Sequence, residues 1–414
     1  MQEVAIDAPP DPVALAARVA PLGDVAVLWT ATGDGLSYVA AGASARSRAL
    51  APAGVAEAGP VVPRWIGLLP YEAARGLERR SWTAEERRAA PHHVEPVWRR
   101  YDAVLRVDPV EGRVVAVGCE AAQVAELARL ASRDAPVGSA LVDGFTTDAP
   151  EAHRARVERA LAYIREGQAY QLCVARRFEG RVRGAPLAVL GRLGRAFPTR
   201  YAFYCDFDGE HTVLSTSPEL FLRIEDQTII TRPIKGTRAR GRDALDDESA
   251  RRLLDADPKE RAELAMIVDL ERSDLGRVAR TGTVRVSRPP QIETHATLHH
   301  RVAEVSATLR AGVSLEEVVR AAWPSGSVTG APKVRAMELI AELEAARRGL
   351  YTGALGAVMS DGSVTLAMAI RTLTVADGAA HYHAGGGIVE ASDPAREEQE
   401  TRLKAAHLAA LAAG

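Results

Sequence analysis

One lysine lies among three arginines in a short stretch that contains a proline and a glycine. The stretch runs from Arg232 to Arg240, with Lys235 near its middle, and it directly follows the apolar run Thr228 to Thr231. Neighbouring cations disfavour the charged form of an amine, and a neutral amine can attack carbon. The pattern predicts a strand that leads into a loop carrying either a nucleophilic lysine or, with equal weight, a basic anion-binding surface.

The first of two acidic helices is predicted to begin at Asp257, with Pro258 at its first helical position. Glu260 falls where a capping box would use it, and this structural role is the favoured one for Glu260. Glu263 shares a helical face with apolar residues at spacings of three, four and seven. Its carboxylate therefore points toward the predicted core, where a buried acid needs a partner or a metal.

The last predicted helix runs from Asp393 to Ala412 and repeats this pattern. Glu397, Glu400 and Lys404 follow one another along the face that is expected to pack. Carboxylate oxygens suit Mg²⁺ better than zinc, which prefers nitrogen and sulfur ligands. The sequence therefore slightly favours a magnesium site between the two helices over a network of salt bridges.

Two glycine-rich segments offer backbone N–H groups to a ligand. The segment from Ser325 to Gly330 precedes a predicted helix and could bind an anion, but it lacks the Gly-Lys-Ser/Thr ending of a nucleotide-binding loop. The second segment is Gly385 to Gly387, where the backbone can approach a ligand closely. Arg371, at the end of an apolar strand, suits a bidentate grip on a carboxylate, or is an ordinary surface arginine.

Composition excludes several classes of protein. A formal net charge of −2 over 414 residues argues against a nucleic-acid binder. Cys119, Cys173 and Cys205 form neither a disulfide framework nor a metal motif, which is typical of the reducing cytoplasm. The sequence shows no signal peptide and no apolar stretch of membrane-spanning length. We therefore expect a soluble cytoplasmic protein.

Two regions are expected, 1–145 and 146–414, with a loose link from Ala131 to Asp148 as their boundary. The first alternates short β-type runs with Ala-, Gly- and Pro-rich connections and includes a solvated, Arg/Glu-rich stretch at 75–88. The second begins with a capping-box-like helix start at Asp148 and then groups strands in hairpins interrupted by helices, including one strand over 363–374. This pattern predicts an α+β layered fold.

Taken together, these segments resemble the chorismate-utilising enzymes, which comprise anthranilate synthase component I, aminodeoxychorismate synthase component I, and the isochorismate and salicylate synthases. The resemblance covers about 148–414 in the family's order and is weaker over 1–145. It implies a large layered β-sandwich with helices packed outside. The matching segments are Gly167 to Gln171, Ser217 to Glu219, Arg232 to Thr237, Asp257 to Leu270, Gly326 to Lys333, Ile370 to Thr372 and Gly385 to Lys404.

The resemblance also implies a role for each matching residue. Glu263 and Glu400 would hold Mg²⁺ with Glu260 and Glu397 close by, and the ion would bind the ring carboxylate of chorismate. Arg371 and Tyr351 would hold the enolpyruvyl carboxylate. The other implied substrate contacts are Gln171, Thr237, Thr329, Lys404, Gly385, Gly386 and Gly387. Glu219 would be the general acid that helps the C4 hydroxyl leave, and His300 would be the active-site histidine.

Two positions separate the members of this family. Gln171 replaces the lysine base of the synthases that add water, and Lys235 stands where anthranilate synthases usually have alanine. The resemblance therefore favours Mg²⁺-dependent amination of chorismate at C4, as in aminodeoxychorismate synthase component I on the route to p-aminobenzoate and folate. None of the cysteines lies in a Gly-x-Cys-x-Gly elbow, so ammonia is expected from a separate glutamine amidotransferase subunit. The alternatives are an anthranilate synthase, which would aminate C2 and eliminate pyruvate, and a non-catalytic chorismate-binding subunit.

Overall fold

The computed structural model describes residues 1–54, 56–77, 92–207, 209, 211–296, 298–406, 408 and 411. Most of the stretch 75–88, predicted to be a solvated helix or loop, therefore lies outside the described residues. The same is true of the predicted last residue of the final helix, Ala412.

Strands are the most abundant regular element of the described chain. Those of the first region are β1 (Gln2–Ile6), β2 (Val25–Trp29), β3 (Ser37–Ala40), β4 (Ala45–Ser47), β5 (Pro63–Leu69), β6 (Val97–Arg100), β7 (Ala103–Asp108), β8 (Arg113–Gly118) and β9 (Ala140–Thr147). Those that follow are β10 (Gln171–Gly184), β11 (Tyr201–Phe207), β12 (His211–Ser217), β13 (Leu220–Glu225), β14 (Thr228–Arg232), β15 (Ile234–Ala239), β16 (Arg285–Thr294), β17 (Leu298–Thr308), β18 (Gly330–Ala331), β19 (Ala354–Met359), β20 (Val364–Met368), β21 (Thr372–Ala376) and β22 (Ala379–Ile388).

Helices connect these strands. Within the described residues they are α1 (Pro12–Val19), α2 (Ala121–Ala131), α3 (Pro150–Arg165), α4 (Pro186–Ala196), α5 (Ala244–Ala256), α6 (Pro258–Gly276), α7 (Leu315–Ala322), α8 (Lys333–Leu343) and α9 (Pro394–Lys404). Asp257 and Asp393 cap α6 and α9 as predicted, because their side chains accept hydrogen bonds from first-turn backbone N–H groups. None of the described helices is long and apolar enough to span a membrane.

The strands form two large antiparallel sheets. Sheet 1 has the order β1-β8-β7-β3-β2-β11-β12-β21-β22-β10-β18, with β9 beside β10, and sheet 2 has the order β15-β17-β14-β13-β20-β19-β5-β6-β4, with β16 beside β17. Both sheets take strands from both sides of residue 145, and β9 occupies the predicted link. The division into 1–145 and 146–414 therefore stays a prediction about organisation along the chain.

Side-chain alternation explains the layers. In β2, Val25 and Val27 pack against the helix α1 on the outer face of sheet 1, whereas Ala26 packs between the two sheets. A second apolar cluster joins α6 and α7 to the outer face of sheet 2. The structure is thus a β-sandwich with helices outside, which confirms the predicted α+β fold.

Two local predictions were wrong. The stretch 363–374 is not one strand, because the chain leaves sheet 2 after β20 and enters sheet 1 at β21. Arg371 lies in this crossing with a left-handed φ of 50°, so it is not an ordinary strand-end residue. Asp148 does not cap α3, where Ala149 holds that position. Its carboxylate accepts a hydrogen bond from Arg176 Nε at 3.0 Å, and the guanidinium is the stronger partner.

Candidate functional site

Lys235 lies on β15 and points toward the loop between α7 and α8. Its Nζ donates a hydrogen bond to the backbone carbonyl of Ser327 at 3.1 Å. Two of the three flanking arginines are neutralised elsewhere, since Arg232 pairs with Glu293 and Arg240 pairs with Asp247 at 2.7 Å, and Arg238 is exposed. We expected neighbouring arginines to activate the Lys235 amine, but they do not surround it in the structure. Lys235 faces carboxylates instead.

Glu219 is the first of these carboxylates. It precedes β13, is only 6% exposed, and its Oε1 accepts a hydrogen bond from Ser327 Oγ at 2.7 Å. Burial raises the pKa of Glu219 to about 7, and the hydrogen bond from Ser327 and the charge of Lys235 oppose that rise. A carboxyl group with this pKa is substantially protonated near neutral pH, as a general acid must be.

The glutamates of α6 and α9 meet on the other side of Lys235, where lysines bridge them. Lys259 Nζ lies 3.0 Å from Glu397 Oε1 and 3.6 Å from Glu263 Oε1, so it joins the two helices. Lys404 Nζ lies 2.6 Å from Glu400 Oε1 and donates to the carbonyl of Gly385 at 2.8 Å. We call Glu263, Glu397, Glu400 and these two lysines the lysine-bridged cluster.

Glycines on β22 allow the backbone to reach this cluster. A Cβ atom at Gly386 would lie 3.0 Å from Glu397 Oε2. At Gly387 it would lie 3.2 Å from Glu263 Oε2 and 2.3 Å from Gln171 Nε2. A larger residue would displace the acids or the buried amide, so the close approach requires glycine. The predicted glycine segment is thus a strand pressed against the acids.

The acids differ in how their charge is balanced. Burial, followed by the charge of Glu263, raises the pKa of Glu260 to about 7. Burial also raises the pKa of Glu263, against the opposing charges of Lys235 and Lys259, whereas Lys404 lowers the pKa of Glu400. Glu260 does not form the expected capping box, and its Oε2 lies beside Gly236.

The donor chemistry of this cluster fits a hard cation. Its carboxylate oxygens are the ligands that Mg²⁺ prefers, and the buried Glu397 Oε2 has no hydrogen-bond partner among the described residues. As they stand, no three acidic, histidine or cysteine side chains of the described chain are arranged to hold one ion. The magnesium site therefore stays a prediction.

Arg371 faces a cavity that His300 also lines, together with Tyr201 and His295. Burial lowers the pKa of Arg371 from its ordinary value, and none of the described residues forms an ion pair with its guanidinium. A buried guanidinium in that state favours an anionic ligand, above all a carboxylate that it can bind with two parallel hydrogen bonds.

His300 carries no charge near neutral pH, because burial and the nearby charge of Arg371 lower its pKa to about 3. Its Nδ1 lies 2.9 Å from Thr237 Oγ1, which brings two predicted site residues together. The neighbouring His299 points to the opposite face of β17 and contacts Asp247 at 2.9 Å. Of the two histidines, His300 is therefore the one that reaches the cavity.

Tyr351, Thr329 and Gln171 are buried, but in different surroundings. Tyr351 stacks on His383 with 5.1 Å between ring centroids and lines a second cavity, which the Arg371 side chain does not line. Thr329 Oγ1 donates to the carbonyl of Ser325 at 2.9 Å and so closes its own loop. Gln171 Oε1 has no hydrogen-bond partner in the described part of the chain, so it remains available to a ligand.

Sequence reasoning missed several groups around the site. Ser325 and Ser327 were considered only as parts of a glycine-rich loop, yet their hydroxyls approach Glu219. Glu271 accepts a hydrogen bond from the Ser325 hydroxyl. Glu271 follows Glu263 by eight residues on α6, and this spacing could have indicated that both acids lie on the same helical face. The second cavity is lined by four histidines, His92, His93, His381 and His383. His381 and His383 are two residues apart on β22, and this spacing indicates that their side chains point to the same face of the sheet.

Comparison with known proteins connects this geometry to a family. A family model described as chorismate binding enzyme matches residues 23–410. The chain is 44% identical over 262 residues to anthranilate synthase component 1 of Streptomyces coelicolor, an alignment that covers 63% of this chain and 51% of that protein. It is 39% identical over 343 residues to aminodeoxychorismate synthase component 1 of Klebsiella aerogenes, covering 81% and 74%. The chain thus spans about half of the Streptomyces relative's length.

The fold is also found among solved structures. The crystal structure of anthranilate synthase component I from Streptococcus pneumoniae superposes with a TM-score of 0.76 at 25% sequence identity, and the match covers 99% of this chain and 92% of that chain. The relatives therefore include two activities, so the comparisons leave the specific reaction undecided.

Proposed function

This chain belongs to the chorismate binding enzyme family, and from that premise we propose that it replaces the C4 hydroxyl of chorismate with an amino group from ammonia, giving 4-amino-4-deoxychorismate for p-aminobenzoate synthesis. The observation that carries this proposal is the position of Lys235. Its amine lies beside Glu219, and its charge also lowers the pKa of Glu263 and Glu400 in the lysine-bridged cluster. In anthranilate synthases this position usually holds alanine, which offers no nucleophile.

Chorismate carries two carboxylates, and the site offers separate positive groups for them. Arg371 binds the enolpyruvyl carboxylate, since its buried guanidinium has no anionic partner among the described residues. The neutral His300 lines the same cavity, is positioned by its contact with Thr237, and orients the substrate by a hydrogen bond. Lys404 contacts the strand Gly385 to Gly387 next to the acids, and we assign the ring carboxylate to this group.

Magnesium is proposed as the cofactor. Glu263 and Glu400 would hold the ion, with Glu260 and Glu397 nearby. Bound there, Mg²⁺ would supply the positive charge that balances these acids and holds the ring carboxylate.

The reaction proceeds in two displacements. The amine of Lys235, after it has lost a proton to solvent, attacks C2, the ring double bond shifts, and the C4 oxygen departs as water with a proton from Glu219. Ammonia then attacks C4, the double bond shifts back, and the lysine leaves C2. The nitrogen that was added loses a proton, which restores Glu219, so one ammonia enters and one water leaves. The ammonia is expected from a separate glutamine amidotransferase subunit.

Product analysis tests this proposal. The purified chain is incubated with chorismate, Mg²⁺ and ammonium salts at alkaline pH, and the products are separated and identified by mass. We expect an amine that retains the enolpyruvyl group and that an aminodeoxychorismate lyase converts to p-aminobenzoate. Anthranilate with pyruvate would overturn the proposal, and chorismate binding without turnover would indicate a non-catalytic subunit.

Anthranilate synthase is the second candidate. It is favoured by the names of the Streptomyces relative and of the Streptococcus structure. Lys235→Ala separates the two candidates, because an anthranilate synthase does not need this amine and should keep its turnover in the variant.

A further inference from the structure

We propose that Glu271 is a positioning residue for Glu219, and that two serine hydroxyls connect the two carboxyl groups into one unit that shares a single proton. This inference rests on the proposed function, since it takes Glu219 as the proton donor. The shared proton itself can be measured without turnover. We call Glu219, Ser327, Ser325 and Glu271 the serine relay.

The relay is a continuous chain of short contacts. Ser327 Oγ lies 2.7 Å from Glu219 Oε1, the two serine Oγ atoms are 3.0 Å apart, and Ser325 Oγ lies 2.8 Å from Glu271 Oε1. The four residues are each at most 6% exposed. Water therefore has little access to the chain, and its members must satisfy one another.

Counting hydrogens defines the charge of the relay. Its three contacts need three hydrogens, and the two hydroxyls supply two of them. The third must come from a carboxyl group. If both carboxylates were ionised, each hydroxyl would donate outward, and no hydrogen would lie between the two serine oxygens at 3.0 Å. Among the described residues, Ser325 Oγ would then accept only from the backbone N–H of Ser327, at 3.2 Å. One protonated and one ionised carboxyl is therefore the arrangement that satisfies every contact.

The surroundings decide where this proton resides. Glu271 Oε2 accepts a hydrogen bond from Thr231 Oγ1 at 2.8 Å, so this carboxyl has a donor on each oxygen. Lys333 faces Glu271 and pairs with Asp274 at 2.5 Å, whereas Lys235 faces Glu219. Burial raises the pKa of Glu271, and the hydrogen bonds to both of its oxygens oppose that rise. In the described part of the chain, Glu219 has a hydrogen bond from a side chain on one oxygen only, so we assign the negative charge to Glu271, and this charge favours the protonated form of Glu219.

The same loop also holds the proposed nucleophile. The carbonyl of Ser327 accepts the hydrogen bond from Lys235 Nζ, while the hydroxyl of this serine contacts Glu219. The relay thus fixes the proton donor and the amine relative to each other. When Glu219 gives its proton to the departing oxygen, both ends of the relay are ionised until the added nitrogen returns a proton.

Substitutions with opposite expected shifts test the relay. Glu271→Gln keeps the shape but removes the negative charge, so Glu219 should lose its proton at lower pH. The alkaline limb of the kcat profile, measured at saturating free ammonia, should move down by about one pH unit, which is about a tenfold loss of activity above the limb. Ser327→Ala removes the hydrogen bond that stabilises ionised Glu219, and should move the same limb upward.

Ser325→Ala serves as a second variant in case Glu271→Gln does not fold. It frees the Ser327 hydroxyl to donate to Glu219, so the limb should again move down. Ser360→Ala is the matched control, because Ser360 is also a fully buried loop serine whose hydroxyl is hydrogen-bonded, but far from the site. If Glu271 had a purely structural role, Glu271→Gln would lower stability but leave the alkaline limb of the kcat profile at the same pH. That result would overturn the inference.

Infrared difference spectroscopy separates this inference from the proposed function. The full chain is titrated without substrate, and the carbonyl band of a buried protonated carboxyl is followed. Glu260 should contribute a band near neutral pH as well, so the Glu219 band is identified as the one that disappears in Glu219→Gln. We expect this band to titrate at lower pH in Glu271→Gln. A Glu219 band that Glu271→Gln leaves unchanged would overturn the relay, even if the chain makes 4-amino-4-deoxychorismate. A shifted band would support the relay, even if the chain makes anthranilate.

Discussion

The buried carboxylates on the two sides of Lys235 are neutralised in different ways. In the lysine-bridged cluster, the long side chains of Lys259 and Lys404 supply the positive charge. In the serine relay, hydroxyl groups connect Glu219 to Glu271 and the missing charge is a proton. A flexible ammonium group can yield its place to another cation, whereas a chain of hydroxyls accepts only a proton. The first arrangement suits exchange with a metal ion, and the second suits proton transfer.

Lys235 couples the two sides. Its charge lowers the pKa of Glu219 in the relay and of Glu263 and Glu400 in the cluster. Any change at Lys235 should therefore affect both proton transfer and metal binding, whereas a change within either side should affect one function. The predictions below test this separation.

Lys235→Ala should have the largest effect, because it removes the proposed nucleophile. We expect amination at C4 to fall to background while chorismate still binds in the presence of Mg²⁺, and we would measure product by chromatography and binding by calorimetry. Lys235→Arg is the control that keeps the charge without a usable nucleophile, and it should be equally inactive. Undiminished C4 amination in Lys235→Ala would rule out covalent participation of this residue.

Glu219→Gln should have the next largest effect and should be confined to the relay side. Loss of a positioned general acid typically costs 10²–10⁴-fold in rate, so we expect a decrease in kcat of about that size with little change in KM. Steady-state kinetics at several Mg²⁺ concentrations provide the measurement. An altered Mg²⁺ requirement in this variant would contradict the separation of the two sides.

Much of the fold could be predicted from local patterns. The bounds of β2, β11 and β19 were predicted to the residue, because each is an apolar run in which neighbouring residues pack on opposite faces. The stretch 363–374 failed because its two strands are equally apolar and belong to different sheets. Nothing in the local pattern indicates which sheet a strand joins, since pairing partners come from distant parts of the chain.

The candidate site was predicted in part. The acids of α6 and α9 were found because helical spacing shows which residues share a face, but the sequence could not show that Lys259 bridges the two helices. The arginines around Lys235 misled because their partners lie on other elements, Glu293 on β16 and Asp247 on α5, and only the fold brings them together. The serine relay was missed because hydroxyl groups acquire a chemical role only when folding brings them to a buried acid.

Glu397→Gln should affect the cluster side alone. Glu397 carries a buried oxygen without a hydrogen-bond partner in the described residues, so the variant removes a negative charge next to the proposed ligands Glu263 and Glu400. Because loss of even an indirect partner of a metal ligand costs 10–100-fold in affinity, we expect Mg²⁺ to bind at least about tenfold more weakly. Titration calorimetry measures the affinity, and infrared spectroscopy measures the protonated Glu219 in the same sample.

Glu398→Gln is the matched control on the same helix. Glu398 pairs with Arg176 and Arg402, away from the cluster, so its substitution should leave the Mg²⁺ affinity unchanged. Equal weakening in both variants would mean that α9 as a whole was disturbed. A Mg²⁺ affinity unchanged in Glu397→Gln would place the metal elsewhere.

The last prediction concerns the pH dependence of stability and the role of Glu219 without substrate or metal. The pKa of Glu219 rises from 4.5 to about 7 on folding, so between these values the folded protein holds a proton that the unfolded chain has lost. Wild-type stability should therefore fall as pH rises from 4.5 to 7, by about 3 kcal/mol from this group. Glu219→Gln has no such proton. Its free energy of unfolding should therefore increase relative to that of the wild type as the pH rises from 4.5 to 7. Urea unfolding of both proteins at pH 5, 6, 7 and 8 measures this difference. A difference that stays constant with pH would mean that Glu219 is ionised in the folded protein. The relay would then carry no shared proton.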